Sequence, residues 1–590
     1  MRHAFASSIF ALACLAAYCD SAAQSPTTRI TDLMPDTWAA TDSLGRSLPT
    51  FDQAGAARTG KYVGVFYFIW LGSHGDALYD ITRILAADPL NPQFGPPGAF
   101  HWWGEPLFGY YRSDDQFVIR KHAQMLSDAA VDVIFLDVTN AFTYDQTYLT
   151  VCRVFEQLRR AGQNTPQIAF LANTSSAKVV QRLYDTFYSR NLYPDLWFRW
   201  QGKPLLLSPP EGLSPQVKTF FTIRHSWAWS DPQAWFKDGK DKWPWLDHYP
   251  QKPGWHESPD RLEQISVCVA QHPTSNIGRS FHDGKQPPPD RTTPEQGLCF
   301  AEQWRRALQV DPEFVFITGW NEWVAQRFLT DGGQPFLGRT LPKGGTFFVD
   351  QYNQEFSRDI EPMKGGHADA HYYQMVANIR RYKGARPLPK PTAPKTIRID
   401  GLFSDWADVG PEYRDADADT AHRDHPGWGK RRYTDTTGRN DFVKAKVARD
   451  DAFLYFHAET QANITNFRAP NWMLLFIDAD ANPKTGWNGY DCLINRHVND
   501  SQSSSIDQWI ADPDGKGQWT PAGKIEYRVA GNRLELAVPR SSLSIKNADA
   551  IQFDFHWADN IQSLDDIAEF TLHGDSAPNG RFNYRYRTAP

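Results

Sequence analysis

Cysteine is scarce, with six in 590 residues. None forms a Cys-x-x-Cys pair, which excludes a zinc ribbon or a thioredoxin-type redox motif. Positive charge is not in excess either. The formal net charge of −6 gives no electrostatic basis for binding nucleic acid or an anionic membrane. No Gly-x-Gly-x-x-Gly or Walker-type loop is present to cradle a nucleotide. Beyond the N-terminus no apolar run is long enough to span a bilayer, and no internal repeat is found. The chain is too long for one core, and its length predicts two to four domains.

Aromatic residues are plentiful. They make up 14% of the chain, and 22 of them are Trp. Trp and Tyr combine a flat apolar face with a polar edge. Sugar rings have one C–H face and a rim of hydroxyls, so they stack on such side chains. The alternative is an aromatic-rich core.

The N-terminus reads as a secretory signal peptide over residues 1–23. Arg2 and His3 precede an apolar stretch from Ala4 to about Ala17, and Ser21-Ala22-Ala23 offers a small-residue cleavage site before Gln24. This predicts a secreted or periplasmic protein. Cys14 and Cys19 fit a lipobox poorly. Cys152, Cys268, Cys299 and Cys492 would remain after cleavage. One disulfide is permitted in an exported protein, Cys268–Cys299 among the options, but sequence does not fix the pairing.

Residues 24–59 form an irregular lead-in. From 60 to 384, strand-like and helix-like stretches alternate. Apolar strand runs lie at Tyr62–Phe68, Val131–Asp137, Gln167–Leu171, 204–208, 219–224, 264–270 and 313–318. A helix over about 116–130 is predicted from the spacing of Val118, Ile119, His122, Met125, Leu126 and Ala129, with Ser113, Asp114 and Asp115 as candidate caps. Such alternation over some 300 residues predicts a (β/α)8 barrel, with an open doubly wound sheet as the alternative. Residues 385–395 are Pro-rich and read as a semi-rigid linker. Residues 396–590 carry short alternating runs between Gly, Asn and Asp turns, the pattern of an all-β sandwich.

In a barrel, chemistry sits at the C-terminal ends of strands. Residues following the apolar runs are therefore the site candidates. The last run leads into Trp320, Asn321, Glu322 and Trp323, and the second ends in Asp137. Asn173 follows the third, His225, Trp227 and Trp229 the fifth, Gln271 and His272 the sixth. Amides and carboxylates bind hydroxyls, indoles stack on ring faces, and two carboxyl groups supply acid/base or nucleophilic chemistry. Glu322, between two indoles, is the leading catalytic candidate, because desolvation raises a carboxyl pKa and suits it to proton donation. Its structural alternative is a rim brace paired with Arg327. Asp137, Glu361 and Asp359 are candidates for a second carboxyl, the last two on a polar loop after the barrel. Trp102 and Trp103 offer a stacking platform, or else packing beneath the loop after the first strand.

The stretches FGYYRSDDQFVIRKHAQMLSDAAVDVIFLD and VFITGWNEWVAQR resemble segments of glycoside hydrolase family 99, with the style shared by family 71 and by family-99-like proteins of lipopolysaccharide gene clusters. The resemblance covers about residues 60 to 330. It implies a (β/α)8 barrel that cleaves α-mannosides internally with retention. It also implies a pair of Glu residues, of which the first deprotonates the sugar 2-hydroxyl and the second protonates the leaving oxygen. Glu322 matches the first. The second should stand three residues on, where this chain has Ala325.

Ile399-Asp400-Gly401, Asp405-Trp406 and RNDFVKAKVARDDAFLYFHAET resemble a family 9 carbohydrate-binding module. Trp406, Trp428, Trp472 and Trp487 are its candidate stacking groups. Asp478, Asp480, Asn482 and Asp491 present closely spaced oxygens suited to Ca²⁺, with a metal-free Asx-turn hairpin as the alternative.

The reading that follows is a secreted glycoside hydrolase acting on a polysaccharide or oligosaccharide. It needs no catalytic cofactor, carries a candidate structural Ca²⁺, and has neither a nucleic-acid partner nor a membrane span. Ala325 motivates an alternative, a non-catalytic glycan-binding protein. A glycosyltransferase is a third reading, opposed by the signal peptide because nucleotide sugars are cytoplasmic.

Overall fold

A computed structural model describes residues 30–228, 241–512, 516–545 and 550–588. The signal-peptide segment and Trp229 lie outside them. Seven parallel strands organise the first half: β1 (Tyr62–Tyr67), β2 (Val133–Val138), β3 (Gln167–Ala172), β4 (Lys203–Leu207), β5 (Thr222–Arg224), β6 (Ser258–Cys268) and β7 (Phe314–Thr318). They overlap the seven apolar runs, although the fifth run, 219–224, begins in the helix Pro215–Phe220 and the sixth strand starts six residues before its run. The sheet order is β5-β4-β3-β2-β1-β7-β6, so the last strand lies beside the first. Helices α1 (Gln116–Asp128), α2 (Asp145–Arg160), α3 (Ser176–Leu183), α4 (Pro215–Phe220), α5 (Leu298–Val310) and α6 (Ala370–Lys383) fill the crossovers and follow β7. Parallel strands need such crossovers, and strands covered on both faces become continuously apolar. The strand interiors are accordingly sealed: Val133 to Leu136, Phe170 and Val315 are fully buried.

An eight-stranded closed barrel was expected. The described residues form instead a curled sheet in which β6 carries on its outer side the antiparallel segment Gly254–His256, itself paired with Asp241–Lys242, and no strand ladder joins that end to β5. Two backbone bonds link the residues after β5 to those before β6, Trp243 N to His225 O (2.8 Å) and Trp245 N to Trp227 O (3.2 Å). Pro244, Pro250 and Pro253 punctuate this stretch. Proline lacks an N–H and interrupts a ladder.

The second half is all antiparallel: β8 (Glu412–Arg414), β9 (Phe442–Arg449), β10 (Phe453–Thr460), β11 (Leu474–Asp478), β12 (Cys492–Val498), β13 (Ser503–Ala511), β14 (Gly517–Ala530), β15 (Arg533–Pro539), β16 (Gln552–Asp559), β17 (Asp575–Ala577) and β18 (Tyr584–Arg587). Its order is β8-β9-β10-β15-β14-β13-β12-β11-β16-β17, with β18 also on β16. The two ends meet where Phe442 N donates to Asp575 Oδ2 (2.6 Å), giving a nearly closed barrel or sandwich. Trp406, Trp428, Trp472 and Trp487 are at most 7% exposed and belong to the packing, so their ring faces are not free for a sugar.

The halves are bolted together. Asp115 caps α1 by accepting from Phe117 N (3.1 Å) and also receives two bonds from Arg423 (2.9 and 2.7 Å). Trp428 N donates to Tyr110 O (2.7 Å), and its indole N–H reaches Ala77 O (3.0 Å). The Pro-rich segment is anchored as well, with Arg386 N on Asp36 Oδ2 (2.8 Å) and Lys395 N on Arg449 O (2.7 Å). All four described cysteines are buried free thiols, Cys268 and Cys299 included. No helix among the described residues is long and apolar enough to cross a membrane.

Candidate active site

Four neighbouring strands, β2, β1, β7 and β6, bring one carboxyl-rich cluster to their C-terminal ends. Asp137 is the penultimate residue of β2, Trp70 follows β1, Glu322 follows β7 and His272 follows β6. The loop after residue 349 folds back over β7, where Gly319 N donates to Arg358 O (2.9 Å) and Glu361 N to Trp320 O (2.9 Å). That return delivers Asp350, Gln351, Arg358 and Asp359.

Glu322 is 6% exposed. Its Oε2 accepts from Arg358 Nη2 (3.0 Å) and Gln351 Nε2 (3.1 Å). Its backbone N–H donates to Asp359 Oδ1 (2.8 Å), and Gln351 Nε2 also reaches Asp359 Oδ2 (2.7 Å). Arg358 Nη2 lies 3.4 Å from Asp350 Oδ1, so one cationic nitrogen serves two carboxylates. The expected structural alternative, pairing with Arg327, does not occur: Arg327 bonds Gly95 O and Thr346 Oγ1.

Burial lifts the Glu322 carboxyl well above its ordinary pKa. Arg358 opposes this, while Asp350, Asp359 and Asp137 reinforce it. Burial also lifts Asp359 to about 7, against the Glu322 N–H, Arg358 and Arg279. Asp137 is raised by burial against hydrogen bonds from Trp70 Nε1 (2.8 Å) and Thr139 N (3.0 Å). His272 is pushed down to about 4 by burial, with Asp350 pulling the other way, so its ring is neutral and Nε2 accepts from Asp350 N (2.9 Å). Asp350 is the open carboxylate, its side chain 47% exposed.

Glu361 sits apart from this group, fully buried. It accepts from Tyr111 Oη (2.7 Å) and the Trp323 indole N–H, and pairs with His122 Nε2 (3.0 Å). Both its oxygens are engaged inside the protein, so it braces the site from behind.

The expected stacking platform is not available. Trp102, Trp103, Trp320 and Trp323 are all sealed from solvent. Trp103 stacks on Trp323 with ring centroids 4.2 Å apart, and its indole N–H donates to Glu322 O (3.0 Å). Large apolar faces with aromatic neighbours gain more from burial than from exposure, so Trp103 and Trp323 pack beside Glu322, while Trp102 packs against Tyr110, Tyr111 and Trp428. Asn321 is also structural, bracketing Phe68 with bonds to its N (2.8 Å) and O (3.1 Å). Gln271 is buried with its amide on Asp247 O (2.6 Å). His225 is buried at the end of β5, and Trp227 packs partly buried against Trp245 at 6.0 Å. Asn173 is partly exposed after β3, where its carbonyl accepts from Ser176 N (3.2 Å).

An accessible aromatic group lies elsewhere, on residues sequence reasoning passed over. Trp70 stacks parallel to Tyr144 at 6.0 Å and touches Phe100 and His74 at 5.5 and 5.3 Å. Phe142, 57% exposed, borders it. Trp70 also holds Asp137, which ties this wall to the carboxyl cluster. The signal was present: Trp70 stands three residues beyond β1, the same kind of position that picked out Glu322.

Ala325 points into apolar packing with Ile81, Phe336 and Phe348. Position 325 therefore presents no second carboxyl to the cluster. In the second half, Asp478, Asp480 and Asp491 bring oxygens within 4.8 Å of one another. Asn482 lies in the same loop, where its backbone N–H donates to Asp478 Oδ1 (3.1 Å) and Asp480 Oδ1 (2.9 Å) and its side-chain oxygen accepts from Lys484 N (3.2 Å).

No protein-family model matches the chain, and no curated protein matches it. Among solved structures, the chain is weakly similar to the GH99 endo-alpha-mannosidase from Bacteroides thetaiotaomicron. The identity is 15% over 55% of this chain and 98% of that one, with a TM-score of 0.33. The same enzyme in complex with bis-tris-propane gives 14% identity, the same coverage and the same score.

Proposed function

We propose that the protein is a glycoside hydrolase in which Glu322 is the proton-transferring carboxyl. The observation that carries this is the contrast at Arg358, where a desolvated carboxyl (Glu322) and a solvent-facing one (Asp350) share one guanidinium nitrogen. Glycosidic cleavage needs one carboxyl group that keeps its proton near neutral pH and a second carboxylate that stabilises charge or activates the attacking group. Burial gives Glu322 the first property. Asp350 is the accessible partner, and Asp137 the buried alternative held by Trp70. The half-exposed wall of Trp70, Tyr144 and Phe142 suits stacking against a sugar ring.

The protein is further read as exported, from its N-terminal segment, and as acting on a polysaccharide or oligosaccharide. Asp478, Asp480 and Asp491 are proposed to hold Ca²⁺, since hard oxygen donors favour that ion. A reducing-end assay over a polysaccharide panel tests the central reading. Product release by the parent protein, lost in both Glu322→Gln and Asp350→Asn, is the expected result. Binding without any product would establish a glycan-binding protein instead.

A further inference from the structure

A second group of buried carboxylates lies far in sequence from Asp478, at the seam where the second half closes on itself. Asp415 follows β8, Asp419 is four residues on, Asp441 immediately precedes β9, and Asp575 opens β17. Asp415, Asp419 and Asp575 are 3%, 4% and 5% exposed, and each offers an oxygen within 4.8 Å of the others'. Among the described residues, no Lys, Arg or His side chain forms an ion pair with any of the three.

Several of these oxygens have no partner. Both carboxylate oxygens of Asp415, and one each of Asp419 and Asp441, are buried without a hydrogen bond. Their other oxygens are used to fix the geometry. Asp441 Oδ2 accepts from Ala418 N (2.9 Å), Asp575 Oδ2 from Phe442 N (2.6 Å), and Asp419 Oδ2 from Gln124 Nε2 (3.0 Å) on α1. Buried polar atoms are nearly always satisfied, and buried charges are paired or bound to metal. Here a backbone N–H holds one oxygen each of Asp441 and Asp575, and the Gln124 amide holds one of Asp419, while Asp415, Asp419 and Asp575 bring oxygens within 4.8 Å of one another.

We propose that Asp415, Asp419 and Asp575 are ligands of one Ca²⁺, with Asp441 completing the set, at a site separate from Asp478, Asp480 and Asp491. The donors are all hard carboxylate oxygens with no imidazole or thiolate, which selects Ca²⁺ over zinc or copper. Such an ion neutralises the carboxylates and closes the seam between β9 and β17, where the backbone ladder stops. It also ties the two halves of the protein together. Asp419 is held by Gln124, and the Asp417 carbonyl in the same loop accepts from Gln163 Nε2 (2.6 Å).

The test uses the full chain stripped with a chelator, with Ca²⁺ itself as the probe. About 1 mM Ca²⁺ should raise the melting temperature by at least about 5 °C, as expected when an ion binds only the folded state. Asp480→Asn, at the other cluster, should keep most of that rise, while Asp415→Asn should lose most of it. Asp419→Asn is the second variant should Asp415→Asn not fold, and in it Ca²⁺ content after gel filtration should drop by about one ion per chain. Failure of the parent to respond to Ca²⁺ overturns the proposal. So does an Asp415→Asn protein with an undiminished response.

Discussion

Arg358 Nη2 lies 3.0 Å from Glu322 Oε2, and both side chains are more than nine-tenths sealed from solvent. The guanidinium is the principal force drawing Glu322 toward ionisation, against burial and three neighbouring carboxyls. This pair sets the proton affinity of the proposed acid, and it makes two variants informative.

Glu322→Gln removes the proton but keeps the shape. Its kcat is expected to fall by about 10²- to 10⁴-fold, the range for losing a general acid. Its melting temperature should stay near the parent's. Arg358→Met removes the cation that favours the carboxylate. With Glu322 acting as the acid, activity is lost as pH rises through its pKa, so Arg358→Met should move the alkaline limb of the pH–rate profile upward. A downward move would mean that Glu322 works as a base or not at all.

Trp70 and Trp103 separate recognition from packing. Trp70→Ala should raise KM for an oligosaccharide about tenfold or more, with a smaller change in kcat, because it removes binding made equally in ground and transition states. Trp103→Ala should destabilise the fold by about 3–5 kcal/mol, the cost of emptying a large buried site. Substrate titration and urea unfolding of both variants check the contrast.

Asp359 makes stability depend on pH. Its folded pKa is about 7, while an unfolded Asp sits at about 3.9. Below that lower value it is protonated in both states. Between the two values the unfolded chain ionises it and the folded chain does not, so its contribution to stability falls as pH rises through this window, then levels off. Asp359→Asn should flatten that part of a melting-temperature profile. An unchanged slope would remove Asp359 as its source.

Asp115 and Arg423 are buried together across the contact between the two halves, with side chains 1% and 8% exposed. Arg423→Ala strands a buried carboxylate and should cost about 3–5 kcal/mol. Limited proteolysis near residues 72–115 and 423–435 would report the loosened contact, and wild-type resistance there would argue against this coupling.

Periodicity and strand-end position, both local properties of the sequence, placed the seven parallel strands, narrowed the α1 cap to three neighbouring residues of which the fold uses Asp115, and put Glu322 just beyond the last strand. They work because a buried parallel strand must be apolar throughout and because the residue after it must emerge at one end of the sheet. What only the tertiary structure decided was which polar residues meet. The same pattern that marked Glu322 also marked Trp320 and Trp323, yet these were buried, because burial of an indole depends on what packs against it. Glu361 went inside to meet Tyr111, His122 and Trp323, while Asp350 and Arg358 reached Glu322 through the return of a loop with no periodic pattern. The carboxylates at 415, 419, 441 and 575 lie up to 160 positions apart, and only closure of the β9–β17 seam brings them together. Pairing across such distances is fixed by chain closure, which no local window of sequence contains.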